Sequence, residues 1–238
     1  MTESRLRKYL ETSRVTEVGP RRRKPVFFSD SKGNYLLEWA GDESCAVEID
    51  WRNQSGADSG AIIQQAKREV DDLVAKYGRI QVYLWTETCD LPNKLGKFFP
   101  KRDPRGAQQR LVNNLLNFEE FIQTKNNVRL TVLCIPYYSI RKHNEHKGHP
   151  DPDKYLGDDA ELKSIIEGVN GVINQINERG GSKSPKFNLD IERPKKQKGK
   201  DIKFKVNWGL FRDGVHPGPL LARTWLRSVC RGIHRDCY

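Results

Sequence analysis

The chain alternates short apolar runs with segments of helical periodicity, and this alternation limits its fold more than any other feature. Val26-Phe27-Phe28 enters the loop Ser29-Asp30-Ser31-Lys32-Gly33-Asn34, and a run around Cys45 to Trp51 enters Arg52 to Ser59. Ile80 to Trp85 ends in Thr86 to Pro92, and the nearly all-apolar Val128 to Ile135 ends in the polar stretch Tyr137 to Lys154. Short apolar runs of this length, bounded by small polar residues, are strands. Between them Ile62, Ala66, Val70, Val74 and Tyr77 recur at helical spacing, with Asp58 or Ser59 as N-cap and Gly78 as stop. Leu111, Leu115, Phe118 and Ile122 mark a second helix. Leu162, Ile165, Val169, Ile173 and Ile176 mark a third, closed by Gly180-Gly181, and a last one runs from about Pro219 to Val229. Strand and helix in alternation require right-handed crossovers and parallel strands. The expected fold class is therefore α/β: three-layer α/β/α, with a flavodoxin-like, mostly parallel sheet.

Several finer expectations follow. Val128 to Ile135, apolar on both sides, belongs in mid-sheet with both faces covered. Phe187 to Ile191 and Ile202 to Trp208 are expected to be two short strands joined by a lysine-rich turn. Trp51, Trp85, Trp208 and Trp225 fall at strand or helix positions and are assigned to the core. Residues 1–24 are polar and charged with no sustained apolar period, so they are expected to be a basic leader or short peripheral helix. Residues 25–238 then form one domain, a size that can bury a substantial core.

The 238 residues contain no apolar run near the roughly 20 needed to cross a bilayer. The N-terminal stretch also lacks the apolar centre of a secretory signal, so an intracellular, cytoplasmic protein is expected. Cys45, Cys89, Cys134, Cys230 and Cys237 are odd in number and without CxxC spacing. That pattern argues for free thiols in a reducing compartment and against a zinc site or disulfide framework. His143, His146 and His149 lie three apart in a polar loop with no nearby carboxylate pattern, so no metal is assigned. The net charge of +11 concentrates at Arg21-Arg22-Arg23-Lys24 and across 194–205, where six lysines face one aspartate. Such an excess favours polyanionic partners, nucleic acid above all, or else serves only as a solvated basic surface.

In a parallel α/β sheet the working residues lie on loops at the carboxyl ends of the strands. Those loops carry Ser31, then Gly56, then Thr88-Cys89-Asp90, and finally Asp213-Gly214-Val215-His216-Pro217. The last stretch holds an acid and an imidazole three positions apart. A histidine acting as base needs a carboxylate to fix its tautomer and a hydroxyl or thiol to deprotonate. Taken alone, the same stretch is also ordinary turn chemistry. Cys89 could itself be a nucleophile, or a small buried residue.

Together these blocks resemble the SGNH/GDSL hydrolase family. Ser29-Asp30-Ser31 is similar to its Gly-Asp-Ser turn, with Ser29 in place of the glycine; Asn53-Gln54-Ser55-Gly56 is similar to its second block; and Asp213-x-x-His216-Pro217 is similar to its fifth. The resemblance spans residues 26 to 226 in the family's order. It implies a serine esterase acting on small-molecule or lipid esters without a cofactor, with Ser31 as nucleophile, His216 as base and Asp213 as its orienter. It also implies that Gly56 offers a backbone N–H to the oxyanion. The third block departs: Cys89 stands where the family supplies an oxyanion-binding Asn, and a thiol is a weak donor. The alternative is a catalytically weakened protein of the same fold, serving as a nucleic-acid-associated or scaffold module. The pattern also resembles esterase modules carried by some retroelements.

Overall fold

The computed structural model describes all residues except 13–19, Asp42, Glu87, 92–103 and 196–202. In chain order the elements are α1 (Glu3–Thr12), β1 (Lys24–Ser29), α2 (Ser31–Glu38), α3 (Ser44–Glu48), β2 (Asp50–Asn53), α4 (Ser59–Tyr77), β3 (Ile80–Trp85), α5 (Pro104–Gln123) and β4 (Val128–Val132). They continue with α6 (Ile140–His146), α7 (Leu156–Arg179), α8 (Phe187–Ile191), β5 (Glu192–Lys195), β6 (Lys203–Val206) and α9 (Pro219–Cys237). The main sheet has the order β2-β1-β3-β4 and is parallel throughout. The chain steps one way from β1 to β2, then back across the sheet to β3 and β4. Right-handed connections therefore put α2 and α3 on one face and α4 and α5 on the other. The C-terminal α9 packs on β1 beside α2 and α3, and α1 lies over it. Leu6 of α1 is completely buried in that contact. This is the three-layer α/β/α architecture that the alternation of runs requires.

The α4 boundaries fall where the sequence signals put them. Asp58 accepts the Ala61 N–H at 2.9 Å, and Gly78 ends the helix at a φ of 77°. Elsewhere the structure departs from the sequence expectations. The run 44–48 is helical, and β2 begins only at Asp50, with the Trp51 indole donating to the Ala46 carbonyl at 2.9 Å. Phe187–Ile191 is a short helix; the two arms of the antiparallel hairpin are Glu192–Lys195 and Lys203–Val206. The lysine-rich turn itself falls outside the described residues. The stretch 140–146, expected as loop, is helical because Ser139 caps it, accepting the Lys142 N–H at 2.9 Å.

The largest departure concerns β4. It lies at the edge of the described sheet rather than in the middle, and its open side is closed by side chains. Asn177 on α7 accepts the Val132 N–H at 2.8 Å and donates to the Val132 carbonyl at 2.7 Å. Asn170 treats Ile135 the same way, at 2.7 and 2.9 Å. A carboxamide carries one donor and one acceptor in the geometry of a peptide group, so each Asn replaces one residue of a missing strand. The spacing matches: seven helical residues rise about 10.5 Å and three strand residues span about 10 Å. Ser184 and Asn188 accept the N–H groups of Cys134 and Tyr137 between and beyond them. The open edge of the run is thus closed by a helix rather than by a fifth strand.

Asn177→Ala is expected to leave the Val132 N–H and C=O buried and unsatisfied, destabilising the fold by about 2–6 kcal/mol at one to three per group. Asn174→Ala, one turn away, removes only a contact to the Cys134 thiol and is expected to cost far less. Urea midpoints of the two variants test the contrast; equal midpoints would remove the strand-replacement role.

Candidate active site

The site is built from the carboxyl ends of β1, β2 and β3 and from the turn that precedes α9. At the end of β1, Asp30 caps α2 by accepting the Lys32 N–H at 2.9 Å. Ser31 is thereby set as the first residue of the helix, at the positive end of its dipole. Gly33 allows this turn to seat, since a Cβ there would lie 2.2 Å from Asn53 Oδ1 and 2.9 Å from Ser29 Cβ. The first turn of α2 therefore sits directly on the ends of β1 and β2.

Beneath Ser31 is a buried ion pair. Asp30 is fully buried, and the Lys32 ammonium, 3% exposed, reaches its Oδ2 at 2.6 Å. The same ammonium donates to Thr88 Oγ1, and the Thr88 N–H donates to Asp30 Oδ2 at 3.3 Å. Lys32 also lies over the Trp85 ring, 5.1 Å from its centroid. Two positions beyond Thr88, Asp90 accepts the Ser59 N–H at 2.9 Å and its hydroxyl at 2.6 Å, while burial pushes its carboxyl above the ordinary range. Cys89 is thus held between two fixed neighbours, Thr88 bound to the start of α2 and Asp90 to the start of α4.

The turn before α9 supplies the remaining groups. His216 Nε2 lies 3.0 Å from Ser31 Oγ, and His216 Nδ1 lies 2.7 Å from Asp213 Oδ2. Asp213 Oδ1 accepts the N–H groups of Val215 and His216 at 3.0 and 2.8 Å. Burial alone would raise this carboxyl, but the hydrogen bonds and charge of His216 and the two backbone donors outweigh it. They hold Asp213 well below the usual carboxylate range. Gly214 adopts a φ of 83°, and a Cβ on it would meet Lys142 Cβ at 2.5 Å, so the turn packs directly on α6. The Ser139 N–H donates to the Gly214 carbonyl at 2.9 Å.

Ser31, His216 and Asp213 are therefore in contact, and Cys89 occupies the loop after β3. Gly56, at a φ of 78°, is exposed on the β2–α4 loop, which Asn34 ties to α2 through a 2.9 Å bond to Ser55. Among the described residues no acceptor takes the backbone N–H of Ser31 or of Gly56. The three histidines spaced along 143–149 diverge. His149 contacts Tyr155 and Asp151, His146 ends α6, and His143 is buried with Nδ1 3.8 Å from Asp213 Oδ2.

Sequence reasoning missed two neighbours of the site. The Tyr35 ring lies 4.6 Å from the His216 ring and is itself covered by the Arg212 guanidinium at 5.7 Å. Tyr35 is four residues after Ser31, so a helix starting at the serine would have revealed it. His143 has no comparable signal, because only the docking of α6 brings it to Asp213.

No protein-family model matches the chain, and no curated protein matches it. Solved structures match in shape. A GDSL-like lipase from Bacteroides thetaiotaomicron superposes with a TM-score of 0.62, covering 98% of this chain and 99% of its own, at 12% identity. A lipase/acylhydrolase from Enterococcus faecalis gives 0.54, over 91% and 97%, at 14% identity. At these identities the likeness is one of fold.

Lys32→Met strands the Asp30 carboxylate in the interior and is expected to cost about 3–5 kcal/mol, the usual loss on breaking a buried pair. Asp30→Asn combined with Lys32→Met should recover part of it, as read by chemical denaturation; a double variant as unstable as the sum of both singles would refute the pairing. His143 gives a pH signature. Burial, opposed by Asp213 and aided by Lys147, His216 and His146, lowers its imidazole to about 4, against about 6.5 when unfolded. Between these values the unfolded chain binds a proton that the folded one refuses. His143 is thus expected to contribute a stability loss as pH falls through that window, and none above it. His143→Phe should flatten that part of the stability profile; an unaltered slope would contradict the assignment.

Proposed function

We propose that this chain, which has the three-layer fold of the SGNH/GDSL hydrolases, is a serine esterase acting on carboxylic esters. The observation that carries the reading is the unbroken contact from Ser31 Oγ through His216 to Asp213, at 3.0 and 2.7 Å. Residues 25–238 form its hydrolase domain, with 1–24 as an adjunct. None of the five cysteines is disulfide-bonded.

In this mechanism His216 Nε2 accepts the Ser31 hydroxyl proton as Oγ attacks the ester carbonyl. Asp213 keeps Nδ1 protonated and stabilises the imidazolium that forms. The depressed carboxyl of Asp213 means that it remains a charged acceptor throughout. The tetrahedral oxyanion is met by the backbone N–H groups of Ser31 and Gly56, with the start of α2 adding its positive end. Collapse breaks the bond to the alcohol oxygen, which takes the proton from His216, and leaves an acyl group on Ser31. Water, deprotonated by the same histidine, releases the acid and restores the serine.

Cys89 is the weak corner. It occupies the position of a third donor, and removing one such donor in an acyl-transfer enzyme lowers kcat by about 10²–10³. The alternative of a catalytically weakened module on this fold rests on that one residue. The substrate class, small-molecule or lipid ester, is in keeping with the lipase and acylhydrolase names of the structures this chain superposes on.

Hydrolysis of p-nitrophenyl acetate should be lost in Ser31→Ala and His216→Ala, together with labelling by a fluorophosphonate. Retention of wild-type turnover in either variant would overturn the esterase reading. Cys89→Asn is expected to raise kcat by tenfold or more with little change in KM, because the added donor acts on the transition state. An unchanged kcat in that variant would show that Cys89 does not face the oxyanion.

A further inference from the structure

The basic excess is distributed differently from its sequence clusters. Within 21–24, Arg21 is committed to Glu48 at 2.9 Å, and Lys24 lies over the Tyr77 ring. Arg23 instead joins two arginines from distant parts of the chain. Lys24 pairs in register with Ile80, and Ile80 with Val128, so Arg23 and Arg79 directly precede β1 and β3, while Arg129 is the second residue of β4, level with Gln81. Adjacent strands are about 4.8 Å apart, which makes this a row of guanidiniums along one edge of the sheet. Arg79 and Arg129 are exposed, and Arg23 is half-buried, held by a 3.3 Å bond from its Nη1 to the Asn127 carbonyl.

The row is electrostatically uncompensated. Burial, then the positive charges of Arg129 and Arg79, push the Arg23 guanidinium below its usual range. The carboxylates nearby are engaged by other cations: Glu48 by Arg21, Asp71 by Lys125, Glu119 by Arg179 and Asp236 by Arg235. Among the described residues none pairs with a member of the row. Like charges held together oppose folding unless something external neutralises them. The turns before β3 and β4 hold Gly78, Arg79, Asn126 and Asn127, with Lys76 in the last turn of α4. The exposed large apolar side chains, Leu37, Trp39, Val47, Leu156 and Leu189, lie on neither turn. A polar, linear, cationic edge matches a phosphate backbone better than a bilayer, which would be bound by insertion of apolar groups as well.

We propose that the amino-terminal edge of the sheet is a nucleic-acid-binding surface, in which Arg23, Arg79 and Arg129 hold the phosphates of a single strand without reading its bases. It lies at the end of β1 opposite Ser31, about 20 Å away along six strand residues, and is independent of the esterase reading. Fluorescence anisotropy with a labelled single-stranded 20-mer tests it. Three phosphate contacts give a slope of about −2 in log affinity against log salt, so binding should weaken about twentyfold between 50 and 200 mM salt. Arg79→Gln with Arg129→Gln keeps the Arg23 bond to Asn127. This double variant should lose at least tenfold in affinity at 50 mM salt and about 1.4 of the slope, with a melting temperature unchanged or raised. Ser31→Ala should bind as wild type. Absence of binding by the wild-type chain, wild-type affinity in the double variant, or capture by phosphatidylserine vesicles without capture by the oligonucleotide would each overturn the proposal.

Discussion

The Asp30–Lys32 ion pair is the interaction on which the rest of the site depends. Two opposite charges in the interior lose their hydration, and attraction offsets that loss only when geometry and extra hydrogen bonds are good. Here both conditions are met, because the carboxylate receives the ammonium and two backbone N–H groups while the ammonium also reaches Thr88. Ser31 lies between the partners in sequence. Its backbone cannot shift without disturbing a pair that tolerates little displacement. The same contacts fix Thr88, and through it the loop carrying Cys89, so the serine and the adjoining corner share one anchor.

A second theme is side chains that stand in for backbone. Asn170 and Asn177 complete β4, Ser139 begins α6, and Asp213 binds two N–H groups of its own turn while orienting His216. In each case a short polar side chain satisfies a main-chain group that regular secondary structure leaves unpaired. This lets a sheet of four described strands carry a site whose loops are held firmly on three sides. The Asp213 turn gains further rigidity from Gly214, whose missing Cβ lets α6 press against it.

Much of this was legible in the residues because it depends on local patterns. Ile80–Trp85 and the caps of α4 follow from periodicity and from Asp58 and Gly78, and the acid and histidine three apart bring their own geometry. Other features depend on contacts between distant segments. Cys45-Ala46-Val47 has strand-like composition, yet it is helical, with Ala46 buried and Val47 exposed. Phe187–Ile191 turns helical as its Phe187 packs against Trp85 and Trp225. Val128–Ile135 looked central because a buried strand has the same apolar composition whether a strand or a helix flanks it. The asparagines that decide the matter sit in a helix 35 to 45 residues away. His143 and the arginines at 23, 79 and 129 were hidden for a like reason, since only the docking of α6 brings the first to Asp213 and only strand pairing brings the others to one end of the sheet.

The asparagine pairing on α7 also bears on which insertions and deletions the chain can accept. Asn170 and Asn177 work because two helical turns match three strand residues. One residue added between them would rotate one carboxamide by about 100° around the helix axis and turn it away from β4. Beyond Arg179 the chain is tied to the same segment again, through Ser182 to Leu130, Ser184 to Cys134 and Asn188 to Tyr137. Changes of length are therefore refused inside the seven-residue interval, whose spacing is set by the geometry of a helix lying along a strand rather than by composition.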